Sequence, residues 1–322
     1  MSNSKKIVIG FTPFHALFAE RLIPVVGGDV YCLFTKGWPR VTGFKKLGFF
    51  WPGNVFRILS YLASFLYFSI VLRFWLWRSV AVEVYLPHPK NIFSNFLFFS
   101  NKVSKVHVYE DGLLNYYDAP SSRASIPLWL RCYARCCGVS ITDFDGHLAG
   151  YDAREVSTLY VSRAGSVVAR EKVGRVVELK AAGNPFEPVQ RRVLFLDQDI
   201  SAFVSDSVRA QILERMAASY PVDLYQYFYK GHHDFNCDGL GMAALSSELN
   251  SAPAELVVNE LHPEIVFSFF SSALLNISAL NSKVQCISLA SDIVPISRDG
   301  VSGTLADIFD EAGVTCFLGV KA

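Results

Sequence analysis

The 322-residue chain has almost no net charge: 30 Lys and Arg stand against 29 Asp and Glu, leaving a formal +1. So small a balance gives no global field to draw in a polyanion, and an anionic partner would need a local patch. The sequence also lacks any run of 18 or more uncharged apolar residues, so no membrane-spanning helix is expected. Its seven cysteines are scattered, with no CxxC pair and no Cys/His ladder at zinc spacing. Neither a structural zinc site nor a disulfide framework is expected, and a reduced compartment is. The opening MSNSKKIVIGFTPFH has too short an apolar run before Phe11 and Pro13 for a secretory signal, so the expected location is inside the cell. What is abundant is apolar surface: 51% hydrophobic, 14% aromatic and only 18% charged residues, with a mean hydropathy of +0.28. That excludes disorder, and the length predicts about two domains at roughly 150 residues each.

Ile7-Val8-Ile9-Gly10 reads as a short buried strand, broken by Gly10 and followed by a helix over residues 15–26. The same rhythm returns at residues 30–34, 80–86 and 106–109, which predicts a doubly wound α/β domain. From Ala181 to Pro188 two prolines and a glycine interrupt the pattern, and a domain boundary is expected there. Strands at 193–196, 224–229, 265–268 and 284–288, with a helix over 204–219, repeat the pattern in a second domain. Two α/β domains of similar size joined by a Pro-rich hinge imply a cleft between the carboxyl ends of two sheets.

Acidic side chains are missing from one whole stretch. The 53 residues between Asp29 and Glu83 hold none, but carry seven cations (Lys36, Arg40, Lys45, Lys46, Arg57, Arg73, Arg78) and four of the five tryptophans. Within it, the 15 uncharged residues from Ile58 to Leu72 would make a helix of about 22 Å, short of a roughly 30 Å hydrocarbon core. Two readings fit: an interfacial helix that buries aromatics and aims arginines at anionic headgroups, or a buried helix of the first domain.

Chemistry-bearing residues gather where strands are expected to end. Glu110-Asp111-Gly112 follows the strand at 106–109, and since successive side chains leaving a strand point opposite ways, one carboxylate faces the cleft while the other braces the turn. Lys230-Gly231-His232-His233 offers positive charge and donors suited to a phosphate, or half of a metal site. Ser271-Ser272 opens a helix and reads either as an anion site or as an ordinary cap. The acidic triplet Asp197-Gln198-Asp199 is a short match to metal-dependent transferases, out of place at the start of the second domain, and is set aside.

Taken in order, these motifs resemble the bacterial CMP-sialic acid-dependent sialyltransferases, the lipooligosaccharide and O-antigen types and the related polysialyltransferases. That family's marks are an acidic-acidic-Gly motif, a Lys-x-His-Pro motif and a Ser-Ser/Thr pair. Glu110-Asp111-Gly112, Lys230-Gly231-His232-His233 (with His233 where proline is expected) and Ser271-Ser272 correspond to them. Weaker echoes are Thr12-Pro13-Phe14-His15, Phe195-Leu196-Asp197-Gln198 and Pro263-Glu264. The resemblance implies an α/β protein with two Rossmann-like domains facing a central cleft, the GT-B type. Residues 1–183 would form the acceptor domain with the catalytic base, and residues 190–322 the CMP-sugar domain.

It further implies an inverting, metal-independent transfer of sialic acid from CMP to a hydroxyl of a bacterial surface glycan, with no cofactor. Asp111 would be the base, with Glu110 and Gly112 shaping its turn. His232 would ease the leaving phosphate, with Lys230, Gly231, His233, Ser271, Ser272, Gln198 and Glu264 on the donor side. Thr12, Pro13 and His15 would face the acceptor. Alternatives are a transferase for another CMP-keto sugar (Kdo, pseudaminic or legionaminic acid) and a non-catalytic membrane-bound assembly protein. The expected location is the cytoplasm, peripheral on the inner membrane face, with no nucleic-acid partner.

Overall fold

The computed structural model describes residues 4–47, 57–78, 81–123, 125–180, 185–231 and 241–317. The chain divides into two compact units, Met1–Leu179 and Lys180–Ala322.

In the first unit seven parallel strands form one sheet: β1 (Lys5–Gly10), β2 (Val30–Phe34), β3 (Phe44–Lys46), β4 (Val82–Leu86), β5 (Val103–Tyr109), β6 (Thr158–Val161) and β7 (Val176–Glu178). Their order is β3-β2-β1-β4-β5-β6-β7, so the chain runs outward from β1 in both directions. The order reverses between β1 and β4, and in open parallel sheets that reversal leaves a crevice at the carboxyl ends of the two strands. Buried Ile7, Val8 and Ile9 explain why β1 takes the centre, since a strand covered on both faces needs a continuous apolar run.

Among the described residues, four α-helices accompany this sheet: α1 (Pro13–Val26), α2 (Arg57–Trp77), α3 (Ile92–Phe98) and α4 (Leu128–Cys136). Helix α1 begins where it does because Thr12 caps it, its hydroxyl accepting the His15 N–H, with Pro13 in the first turn. It ends at Gly27, whose φ of 55° suits glycine.

Helix α2 is longer than expected. It continues through Arg73, and its 21 residues measure about 32 Å. By length and composition the stretch Ile58–Trp77 could cross a membrane, which no uncharged run in the sequence had foretold. One face, however, is committed to the unit: Ser60, Ser64, Phe65, Phe68, Ser69 and Leu72 are buried, and the Leu62 carbonyl accepts the Tyr133 hydroxyl of α4 at 2.7 Å. The other face exposes Ile58, Leu59, Leu66, Tyr67, Ile70, Phe74 and Trp77.

The second unit is built the same way. Strands β8 (Val189–Leu196), β9 (Gln226–Lys230), β10 (Ala243–Ala244), β11 (Pro263–Ser268), β12 (Gln285–Ser288) and β15 (Thr315–Cys316) form a parallel sheet ordered β10-β9-β8-β11-β12-β15. The reversal here lies between β8 and β11. Helices α5 (Asp206–Ser219), α6 (Ser247–Ser251), α7 (Ala254–Leu261), α8 (Ala273–Leu280) and α9 (Leu305–Glu311) complete it, with a separate hairpin of β13 (Pro295–Arg298) and β14 (Val301–Thr304).

Candidate functional residues at the strand ends of each unit

In the first unit the carboxyl ends of β1, β4 and β5 bring together His15, His88 and Asp111. Glu110 turns inward and is 2% exposed, accepting the Tyr116 hydroxyl at 2.9 Å and the Ser162 N–H. Burial pushes its carboxyl above the usual value, and the two hydrogen bonds only partly counter this. Asp111 points the other way, with a side chain 26% exposed. Gly112, at a φ of 55°, lets the chain turn into a short 3₁₀ helix, and Asn115 accepts the Asp111 N–H at 2.9 Å.

His15 stands behind Asp111, not on an acceptor surface as the sequence suggested: its side chain is 1% exposed. Its Nδ1 accepts the N–H groups of Phe11 at 3.0 Å and Thr12 at 3.3 Å, closing a capping box in which imidazole does the work usually done by a carboxylate. With Nδ1 accepting, Nε2 carries the proton and donates to Asp111 Oδ1 at 2.8 Å. Thr12 and Pro13 serve the same helix start, so the start of α1 sets the angle of the imidazole that holds Asp111.

Two opposing influences act on the Asp111 carboxyl. Burial alone pushes its carboxyl up, but the attraction and hydrogen bond of His15, with a contribution from His88, outweigh it and bring the value down to about 2. The carboxylate is therefore ionised at neutral pH and tightly oriented.

His88 was missed by the sequence reading. It lies in Pro87-His88-Pro89 just after β4, and its Nε2 is 3.7 Å from Asp111 Oδ2. The available signal was position: a histidine at a strand end, held between two prolines. Its weight depends on β4 lying next to β1, which the sequence does not state.

In the second unit Lys230 closes β9, and its ammonium donates to the Asn250 carbonyl at 2.6 Å, while the Gly231 N–H donates to Asn250 Oδ1 at 3.1 Å. Burial lowers the lysine's pKa, and Glu255 partly offsets this. His232 and His233 lie outside the described residues.

Ser271 and Ser272 follow β11 at the second reversal point, both half-buried. Ser271 Oγ accepts the Ala273 N–H at 3.3 Å, while Ser272 makes no capping bond. Gln198, after β8, spans the same point: its Oε1 accepts the Phe270 N–H at 3.2 Å, so it braces the loop that carries the serines.

Glu264 is a correction. It sits near the amino end of β11, four residues from Ser268 and thus about 13 Å from the serine loop, where its carboxylate accepts the Arg191 N–H. It braces the wrong end of the sheet for a phosphate ligand. Asp197 is also committed, buried against Arg209 at 2.9 Å and the Tyr229 hydroxyl at 2.8 Å. Among the described residues, no group of three or more His, Cys, Asp or Glu is arranged to hold a metal ion. A hollow of about 610 Å³ beside α5 is lined by Ile200, Val204, Leu213, Met216 and Tyr227, and by none of the expected phosphate ligands.

No protein-family model matches the chain, and neither does any curated protein sequence. Among solved structures, UDP-GlcNAc 2-epimerase from Methanocaldococcus jannaschii in complex with UDP-GlcNAc and UDP aligns over 98% of this chain and 89% of its own, at a TM-score of 0.51 and 12% identity. The spinosyn rhamnosyltransferase SpnG complexed with thymidine diphosphate aligns over 97% and 86%, at a TM-score of 0.44 and 12% identity. At this identity the epimerase match establishes fold class alone. The chain has the α/β fold of two Rossmann-like units, the GT-B type.

Proposed function

We propose that the chain is a glycosyltransferase that takes its sugar from a nucleotide, and that its donor is CMP-sialic acid, transferred with inversion to a hydroxyl of a bacterial surface glycan. One observation carries this reading. The outward member of the Glu-Asp-Gly motif, Asp111, sits at the carboxyl end of β5 beside the first unit's strand reversal, oriented by an imidazole 96 positions away in sequence. The nucleotide sugar is supported by the shared fold with an epimerase whose structure holds UDP-GlcNAc and UDP. CMP-sialic acid is supported by the motif resemblance.

In this reaction the acceptor oxygen bonds to the anomeric carbon as the bond from that carbon to the CMP phosphate breaks, its electron pair leaving with CMP. Asp111 takes the hydroxyl proton. The attacking hydroxyl becomes acidic as its new bond forms in an oxocarbenium-like transition state, and the ionised, oriented Asp111 carboxylate is placed to accept its proton at that moment. The motif resemblance gives the growing phosphate charge to Lys230, Ser271, Ser272 and one of His232 and His233. No metal has a role in these steps, so transfer is expected to persist in EDTA.

The exposed face of α2 is assigned to an anionic membrane surface. Its apolar side chains lie in a chain segment devoid of acid, and the neighbouring α4 exposes Leu128 and Trp129 together with Arg135. Ile70→Glu with Phe74→Glu should abolish co-sedimentation with vesicles containing anionic lipid while leaving the melting temperature unchanged. Retained binding would remove this assignment.

The activity is tested by supplying CMP-sialic acid and following CMP release on addition of acceptor. Asp111→Asn should lose turnover by about 10²- to 10⁴-fold with CMP affinity preserved. Undiminished turnover would discard Asp111 as the base.

A further inference from the structure

Among the described residues, the side chains facing the outward oxygen of Asp111 leave one donor without a hydrogen bond. His88 Nδ1 accepts the Lys90 N–H at 3.0 Å, so Nε2 carries the ring proton. That N–H faces Asp111 Oδ2 across 3.7 Å, beyond hydrogen-bond length. The inner oxygen, Oδ1, is already taken by His15. Solvent reaches His88, whose side chain is 19% exposed, and Asp111 at 26%, but not His15 at 1%. The Phe11 ring backs the His88 imidazole with centroids 5.4 Å apart and limits its rotation. A donor and an acceptor thus stand side by side at the mouth of the β1/β4 crevice, with a gap that one oxygen, about 2.9 Å from each, would close.

We propose that His88 is a catalytic residue that grips the acceptor hydroxyl together with Asp111: Nε2–H donates to the hydroxyl oxygen while the hydroxyl donates to Asp111 Oδ2. The inference rests on the transferase reading of Asp111. In the transfer step the hydroxyl proton passes to Oδ2, the oxygen's electron pair forms the bond to the anomeric carbon, and CMP leaves with the electron pair of the broken bond. His88 keeps its proton throughout and fixes which lone pair of the oxygen faces the sugar.

The test uses the full chain with CMP-sialic acid and either lactose or sialyllactose, whichever supports CMP release. If neither does, the sialyl-transfer reading itself falls. His88→Phe keeps a ring but no donor, and should lower kcat/KM for the acceptor at least tenfold while KM for CMP-sialic acid stays within twofold. His88→Gln restores an N–H at similar reach and should recover most of the loss. Acceptor kinetics unchanged in His88→Phe, or a His88→Gln variant as impaired as His88→Phe, would overturn the proposal. Should His88→Phe not fold, the imidazole NMR signals of His88 in the wild-type protein decide: they should shift on saturation with acceptor, and no shift refutes the contact. Full turnover in Asp111→Asn would instead sink the underlying assignment of the base, so the two failures are distinguishable.

Discussion

The two strand-reversal points of this chain are assembled from different chemistry. The first gathers one carboxylate and two imidazoles, and its key contact joins residues 96 positions apart. The second gathers hydroxyls, an amide and, from the neighbouring strand, an ammonium, with Gln198 tying one loop to the next. The difference teaches that the same α/β scaffold can fix the orientation of a carboxylate at one reversal point and set neutral and cationic polar groups around the other. In the first the sheet sets the angle of a charge; in the second it presents donors.

Exchanging the charge in each region would break or sharpen that contrast. The largest effect is expected at the first: Asp111→Asn should cut turnover by about 10²- to 10⁴-fold yet spare CMP binding by calorimetry. Lys230→Ala combined with Ser271→Ala should, by contrast, weaken CMP affinity on the order of tenfold or more while the melting temperature holds. Equal loss of CMP affinity in both variants would erase the division of labour.

A second consequence belongs to the first unit alone. His107, in β5, stacks on Tyr85 at 4.4 Å, and neither ring nitrogen has a hydrogen-bond partner among the described residues. Burial depresses its pKa from 6.5 to about 4. Because the unfolded chain binds this proton first, the stability it contributes is complete above pH 6.5 and is lost as pH falls toward 4, by up to about 3 kcal/mol. Urea midpoints measured across that range should slope, and His107→Phe should flatten them; an unaltered slope would assign the acid sensitivity elsewhere. The smallest effect is expected from Glu264→Gln, which should leave CMP affinity within twofold. A larger loss would restore Glu264 to the donor site.

Much of this was legible from local pattern. The short β-branched runs announced the central strands, the apolar stretch from His15 announced α1, which starts two residues earlier on its Thr12 cap, and the Glu-Asp-Gly turn announced a carboxylate facing out and another facing in. The edge strands β3, β7, β10 and β15 were not legible, because two or three residues carry too little periodicity to rise above a loop. The length of α2 was misjudged at Arg73, since a single cation in an exposed position does not end a helix. Glu264 looked like a site residue from its neighbourhood in sequence, yet a strand separates its ends by its own length, and Glu264 lies at the far one.

The sequence by itself determined two parallel α/β units and the placing of acid, lysine and serines at the ends of strands, because those depend on neighbours a few residues apart. Only the tertiary structure decided that His15 and His88 meet Asp111, and that Asp111 is held low rather than raised. Strand order is set by long-range packing, and the acidity of a carboxylate is set by whatever that packing brings within hydrogen-bond reach.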